Sequence, residues 1–366
     1  MLAAWVIGLV VALPITAQSE NDREEESVPA ARSKSDPDVT RYAIDHIIFR
    51  PDLKRYKLFP LTNYVNTAFD TAQVSDAFSQ RDYFRNHKDV FDRIFHPHRN
   101  IKKDGGYNEI AQREFAGSAL LPNITLHVLG NGYDFRALAE WYDYQGIEYP
   151  YLLAFVTSYA GYVGNEAIEV SNPKVDGSDH IVDLYVFNLL GNLIFMNDSF
   201  ARFAQDDLQL RNWTGQPFLD ISNRKILNAS NNYVVRPDLF TDDVRPFVYF
   251  GLHYFGGLSF MLADRSELSV GAGFAVENPF KSADDFGDNF KKLKPSGGLF
   301  WDKDDHLLAS VIFNSTDSYL VRANIYPDLM PETDIGVDVG VFVGVSDGGT
   351  PSLGISVSKA FSIGIR

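Results

Sequence analysis

From Phe247 to the end of the chain, large apolar residues recur at every second position, and a period of two fits extended strands whose side chains alternate between faces. Val248, Phe250, Leu252, Tyr254, Leu258, Phe260 and Leu262 follow the rule, interrupted by Gly256. Leu268, Val270, Ala272, Phe274 and Val276 repeat it, as do Ile335, Val337, Val339, Val341, Val343 and Val345. The cleanest run sets Leu353, Ile355, Val357, Phe361, Ile363 and Ile365 against Gly354, Ser356, Ser358, Ala360, Ser362 and Gly364. Residues 306–314 and 318–326 are weaker strands, and 213–221 and 225–235 are further candidates.

Alternation sustained over about ten residues and punctuated by turns is the pattern of strands that cross an outer membrane. A soluble β-sandwich gives the same alternation, but its strands average about five or six residues, so length favours the membrane. The expected fold class is α+β: a C-terminal antiparallel β-barrel of outer-membrane type over 211–366, with an apolar helical block packed in or against it. Lys359 on the apolar face and Arg366 at the end run against that pattern. The second face of three strands is mostly Gly, Ser and Ala, which leaves room for something to approach the backbone. The expected occupant is the pair of apolar helices at 150–169 and 180–196, as a plug or a cap.

Ahead of the strands the chain falls into four blocks. Residues 1–17 are apolar, broken by Pro14 and followed by a charged stretch, as in a secretory signal peptide; an uncleaved anchor is the alternative. Residues 18–38 contain almost nothing to bury and read as disordered. Residues 39–121 form a mixed periplasmic region, with short strands expected at 44–49 and 56–59 and helices at 64–78 and 81–95. Residues 122–210 are the apolar helical block, containing an amphipathic helix at 134–144. Pro150 is placed to start the second helix. The apolar stretches of the second and third helices are about 15 residues, short of the roughly 20 needed to span a bilayer, so burial against protein is expected.

The chain contains no cysteine, so neither disulfides nor a lipidated Cys can anchor it. A formal net charge of -15 with no basic stripe argues against a nucleic-acid partner, since phosphate binding rests on Lys and Arg. Aromatics at 14% of residues suit a protein that meets a membrane-water interface. Membrane lipid and an envelope protein are the expected partners, and no motif calls for a metal or cofactor.

Polar groups stranded in apolar helices are the candidates for chemistry, because an unpaired buried charge costs several kcal/mol. Ser158, Tyr162, Glu166 and Glu169 share one helical face, and His180 and Asp183 share another. Asn188 and Asn192 lie together on a neighbouring face. His127 precedes both helices. The candidate catalytic set is His127, Glu166, Glu169 and Asp183, with His127 as general base; the competing reading is a self-satisfied polar network that fixes helix register. His87 and Asp92 match a spacing used by lipid acyltransferases but lie in a charged helix. His96 and His98 flank a proline in basic surroundings, which reads as a solvated turn. His253 lies opposite the apolar face of its strand. The chain has no Gly-x-Ser-x-Gly elbow, no His-Glu-x-x-His and no phosphate-binding glycine loop.

Residues 122–196 resemble a bacterial family known as domain of unknown function 3943. The matching residues are Asn123, His127, Gly130, Gly132 and Tyr133, then Ser158, Glu166 and Glu169, then Ser178, Asp179, Asp183 and Gly191. Val128 stands where the family has a proline, and the family's Trp-Glu-Tyr is missing. The resemblance implies a helical block ahead of envelope strands and no particular activity.

The expectation is therefore an outer-membrane-associated β-barrel protein of the bacterial envelope, structural or lipid- or partner-binding rather than enzymatic. The alternatives are a periplasmic location and an envelope lipid- or glycan-modifying enzyme using the His/carboxylate cluster.

Overall fold

Gly251 and Leu252 turn what reads in sequence as one alternating run into a hairpin. A computed structural model describes residues 44–366 except 75–77, 117–119, 174, 242, 277–292, 315–318, 332–337, 347, 358–360 and 366. The expected signal peptide, the 18–38 segment, Ile335, Val337, Lys359 and Arg366 lie outside the described residues. Strand β5 (Val244–Phe250) pairs with β6 (His253–Met261), Phe250 opposite Tyr254 and Val248 opposite Gly256. Because paired residues sit an even number apart, residues of one parity stay on one face, and the alternation passes through the turn unbroken. The last run behaves in the same way. It is not one strand but β12 (Pro351–Val357) and β13 (Phe361–Ile365), with Leu353 opposite Ile365.

The remaining strands are β1 (Arg211–Asn212), β2 (Phe218–Asp220), β3 (Lys225–Leu227), β4 (Tyr233–Val235), β7 (Ser266–Val276), β8 (Leu293–Lys303), β9 (His306–Phe313), β10 (Tyr319–Ile325) and β11 (Val339–Ser346). They form one 13-stranded sheet in the order β1-β4-β5-β6-β7-β8-β9-β10-β11-β12-β13-β2-β3. The long strands form an antiparallel meander, and β13 pairs parallel with β2. Among the described residues no ladder joins β1 to β3, so the sheet curls without a hydrogen-bonded seam between its edges. Strand β8 escapes sequence reading because Pro295, Gly297 and Gly298 dilute its alternation.

The two faces differ as the period implies. Leu258, Val270, Leu299, Val343, Leu353 and Ile355 point outward and are 38–52% exposed, while Ser269, Ser352 and Ser356 are buried. The occupant of the small-residue face is not the pair of apolar helices. It is the chain between β1 and β3. Gln216 donates to the Ile325 carbonyl at 3.0 Å and accepts from the Ser356 hydroxyl, and Phe218 covers Gly354 so closely that an added Cβ would sit 3.0 Å from its ring. Trp213 stacks on Phe300 beside Phe247, Tyr249 and Phe255. This chain threads the concavity because Gly340 and Gly354 leave it room.

The α-helices of six or more described residues are α1 (Phe59–Ala68), α2 (Tyr83–Phe95), α3 (Pro97–Lys103), α4 (Tyr107–Ala116), α5 (Asn131–Tyr144), α6 (Pro150–Glu169), α7 (Gly177–Val182) and α8 (Asn188–Phe195). The helix expected at 64–78 thus begins earlier and ends at Ala68. No strand forms at 44–49 or 56–59. The Ile48 and Phe49 amides donate instead to the buried Glu140 carboxylate at 2.8 and 2.7 Å, so a side chain replaces a neighbouring strand. Helix α5 is not amphipathic over its first ten residues, since Asn131 through Glu140 are all buried.

Helices α6 and α8 are only half buried, a second departure from expectation. From Ala154 onward α6 is increasingly enclosed, but Leu152 and Val156 are 59% and 53% exposed, and Leu193 on α8 is 66% exposed. None of the described helices is long and apolar enough to cross a membrane. The block meets the strands through polar contacts: Asp70 accepts from the Asn231 amide at 2.9 Å, and Asp134 accepts from the Tyr233 hydroxyl at 2.9 Å and from Asn212 at 2.7 Å.

Candidate His-carboxylate site

Two helical stretches wind wide where the candidate residues lie. Asn123–Gly130, leading into α5, and Asp183–Phe187, joining α7 to α8, both have π-helical hydrogen bonding. Such turns insert an extra residue and re-aim side chains, and they concentrate at functional sites. One carries His127 and the other Asp183. The first stretch packs closely on α8, which continues the second, because Gly191 of α8 faces the carbonyls of His127 and Val128, where an added Cβ would lie 2.7 and 2.6 Å away. Only glycine tolerates that approach.

At this contact, His127 Nδ1 donates to Asn188 Oδ1 at 3.0 Å. Its Nε2 faces Asp183 Oδ2 at 3.6 Å, and its ring packs on Tyr162 with centroids 5.1 Å apart. Asn131 ties the neighbourhood together, donating to the Asn188 carbonyl and to Asn192 Oδ1 and accepting from Ser158. Burial lowers the His127 pKa, against a smaller opposing pull from Glu166. Burial, then the charges of Asp179 and Glu166, hold the Asp183 carboxyl well above the usual range. The pair is thereby biased toward neutral imidazole beside neutral carboxyl, so Asp183 is better suited to give a proton than His127 is to take one.

A second centre lies further along α6. His180 hydrogen-bonds through Nδ1 to Glu166 and through Nε2 to the Arg93 guanidinium. Glu169 accepts from Asn165 Nδ2 at 2.9 Å, and Asn165 Oδ1 accepts in turn from the Thr71 hydroxyl at 2.9 Å. One donor atom from each of Glu166, Glu169 and His180 lies within 4.8 Å of the others, and all three residues are buried. Nearby, Glu114 pairs with Arg113 at 2.7 Å and accepts from Asn123 at 3.1 Å. Asp179 is raised well above its ordinary pKa by burial, then by Glu114 and Glu166; Glu169 is raised by burial, then by Glu166 and Asp179.

The four expected residues thus divide into two adjoining groups, His127 with Asp183 and Glu166 with Glu169. Sequence reading placed His180 on the Asp183 face without assigning it to the site, named Asp179 only within the family resemblance, and missed Arg93 and Glu114. A signal for His180 was present. Glu166 and Glu169, like His180 and Asp183, are three residues apart, and this spacing projects both members of each pair from one helical face. Nothing in the sequence pairs Arg93 with them. Of the weaker candidates, His87 bonds its own helix at the Tyr83 carbonyl, His96 meets Asp92, and His98 meets Tyr107, all on the α2–α4 surface. His253 is buried against Phe255.

Replacing Gly191 by alanine should destabilise the protein by about 1–3 kcal/mol, the usual cost of overpacking, because its neighbours are backbone carbonyls that cannot rotate away. Denaturant unfolding checks the size. Nitrogen chemical shifts of the His127 ring should move in the same variant, reporting the altered distance to Asn188.

No family model, curated protein or solved structure matches this chain.

Proposed function

We propose that the protein is an outer-membrane-associated component of the bacterial envelope, with the outward face of its curled sheet against lipid and a structural or partner-binding role. The supporting observation is the apolar outward face: on five of the long strands, residues such as Leu258, Val270, Leu299, Val343 and Ile355 are 38–52% exposed. A soluble protein rarely leaves so continuous an apolar band in water. The exposed Leu152, Val156 and Leu193 of the helical block add apolar surface for lipid or for an envelope partner. The resemblance of residues 122–196 to a family with a helical block ahead of envelope strands accords with this reading.

Fractionation and heat-modifiable migration on a denaturing gel test it. The wild-type protein should sediment with the outer membrane. Val270→Lys and Val343→Lys should each weaken membrane assembly by about 2–4 kcal/mol if they lie near the bilayer midplane, whereas exposed sites on a soluble protein tolerate such changes within about 0.5 kcal/mol. Recovery of the wild type in the soluble periplasmic fraction would overturn the proposal.

The second reading, an envelope lipid- or glycan-modifying enzyme, rests on the His127–Asp183 pair beside the Glu166–His180 centre. It predicts that His127→Ala leaves assembly intact and abolishes a phenotype. A structural role predicts lost stability instead.

A further inference from the structure

The α6–α7 centre gathers more carboxyl groups than it has cationic side chains to match them. Glu166, Glu169, Asp183 and Glu114 are each at most 8% exposed, and Asp179 is half buried beside them. Arg113 is committed to Glu114, Asp176 and Ser178. Asp183 Oδ1 is buried with no hydrogen-bond partner among the described residues. A buried carboxyl oxygen left unsatisfied near other carboxyl groups is a place for a cation, whose charge would draw those groups into their ionised forms.

We propose that Glu166, Glu169 and His180 bind one divalent transition-metal ion, with Asp183 as the neighbouring carboxylate that completes or orients the set. Two ligands bonded to one ion at about 2.0–2.2 Å can be no more than about 4.4 Å apart. The three donors lie within 4.8 Å of one another, so closing on an ion takes a few tenths of an ångström. An imidazole mixed with carboxylates suits Mn2+, Fe2+ or Zn2+ better than Ca2+, which takes oxygen ligands. The support is rigid. Glu166 and Glu169 project from the buried half of α6, Asn165 fixes Glu169, and the Thr71 hydroxyl fixes Asn165.

Arg93 is the competing cation. Its guanidinium holds His180 Nε2, and an imidazole that ligates a metal through Nδ1 carries a proton on Nε2 and cannot accept there. Metal binding therefore displaces Arg93, which is only partly buried and has water to turn toward. This assigns opposite signs to two substitutions. Glu169→Gln removes a ligand and Arg93→Met removes a competitor.

Isothermal titration of the full-length protein, stripped with chelator and titrated with Mn2+, Co2+ and Zn2+, tests the assignment. One ion per chain is expected. Partners outside the ligand set already cost about 10–100-fold in affinity when lost, so Glu169→Gln should weaken binding by at least about 100-fold. Arg93→Met should tighten it by about tenfold or more. Co2+ should give a visible d–d spectrum in the wild type, and Asp92→Asn on the exposed side of α2 should leave it unchanged. Absence of one-to-one binding by the wild type for all three ions, each at up to about a hundred times the protein concentration, would overturn the proposal, as would binding that Glu169→Gln and His180→Gln leave intact. The wild-type titration decides even if a variant fails to fold.

Discussion

Substituting methionine for Arg136 should cost about 3–5 kcal/mol of stability, the penalty for leaving one partner of a buried ion pair uncompensated. Arg136 and Glu140 are both 0% exposed. The guanidinium donates to Glu140 at 2.6 Å, to Asp198 at 2.6 Å and to the Asp45 carbonyl at 2.7 Å. Glu140 also accepts the Ile48 and Phe49 amides, so one carboxylate holds the entering chain and one helical turn of α5 together. Without Arg136 that carboxylate keeps two amides and loses its counter-charge. Denaturant unfolding measures the loss, and the double variant Arg136→Met/Glu140→Gln should recover part of it because the stranded charge is gone. A loss below about 1 kcal/mol for Arg136→Met would show that water reaches Glu140.

The second large effect has the opposite sign. Asp70→Asn should stabilise the protein at pH 8, by as much as about 4 kcal/mol. Burial raises the Asp70 carboxyl from 3.8 to about 7, against the lowering effects of the Asn231 amide and the Arg322 charge. The folded state therefore holds this proton more tightly than the unfolded state does. Stability from this group is complete below about pH 4 and is lost as pH rises toward 7, at about 1.4 kcal/mol per unit. Asparagine keeps an oxygen for the Asn231 amide, 2.9 Å away, and has no charge to desolvate. Stability measured from pH 4 to 8 should fall in the wild type and flatten in the variant; parallel curves would contradict the assignment. Asp134, raised to about 6 chiefly by burial, contributes to the same slope.

Much of the local structure was legible because it depends on neighbours in sequence. Pro150 starts α6 and Glu169 ends it as expected, since a proline at the first turn and an apolar run are local signals. The outward and inward faces of β7, β11 and β12 follow from period two alone. Turns were less legible. The hairpins at 251–252 and between β12 and β13 preserve parity, so the pattern that reveals the strands hides the turns between them.

The candidate site was legible in half. Glu166, Glu169 and Asp183 stood out as polar residues in apolar helices, and their burial follows. That His180 joins Glu166 while His127 lies beside Asp183 depends on contacts between separate helices: Gly191 of α8 meets the backbone of His127 and Val128 more than sixty positions away. Arg93 reaches His180 from α2 across 87 positions.

The sequence by itself determined which faces of the strands are apolar, where α6 begins and ends, and that no disulfide contributes, because periodicity, proline and composition act locally. Only the tertiary structure decided what fills the Gly and Ser face. Gln216 and Phe218 do so in place of the apolar helices, since a face of small residues specifies a space and the chain's connectivity determines which segment reaches it.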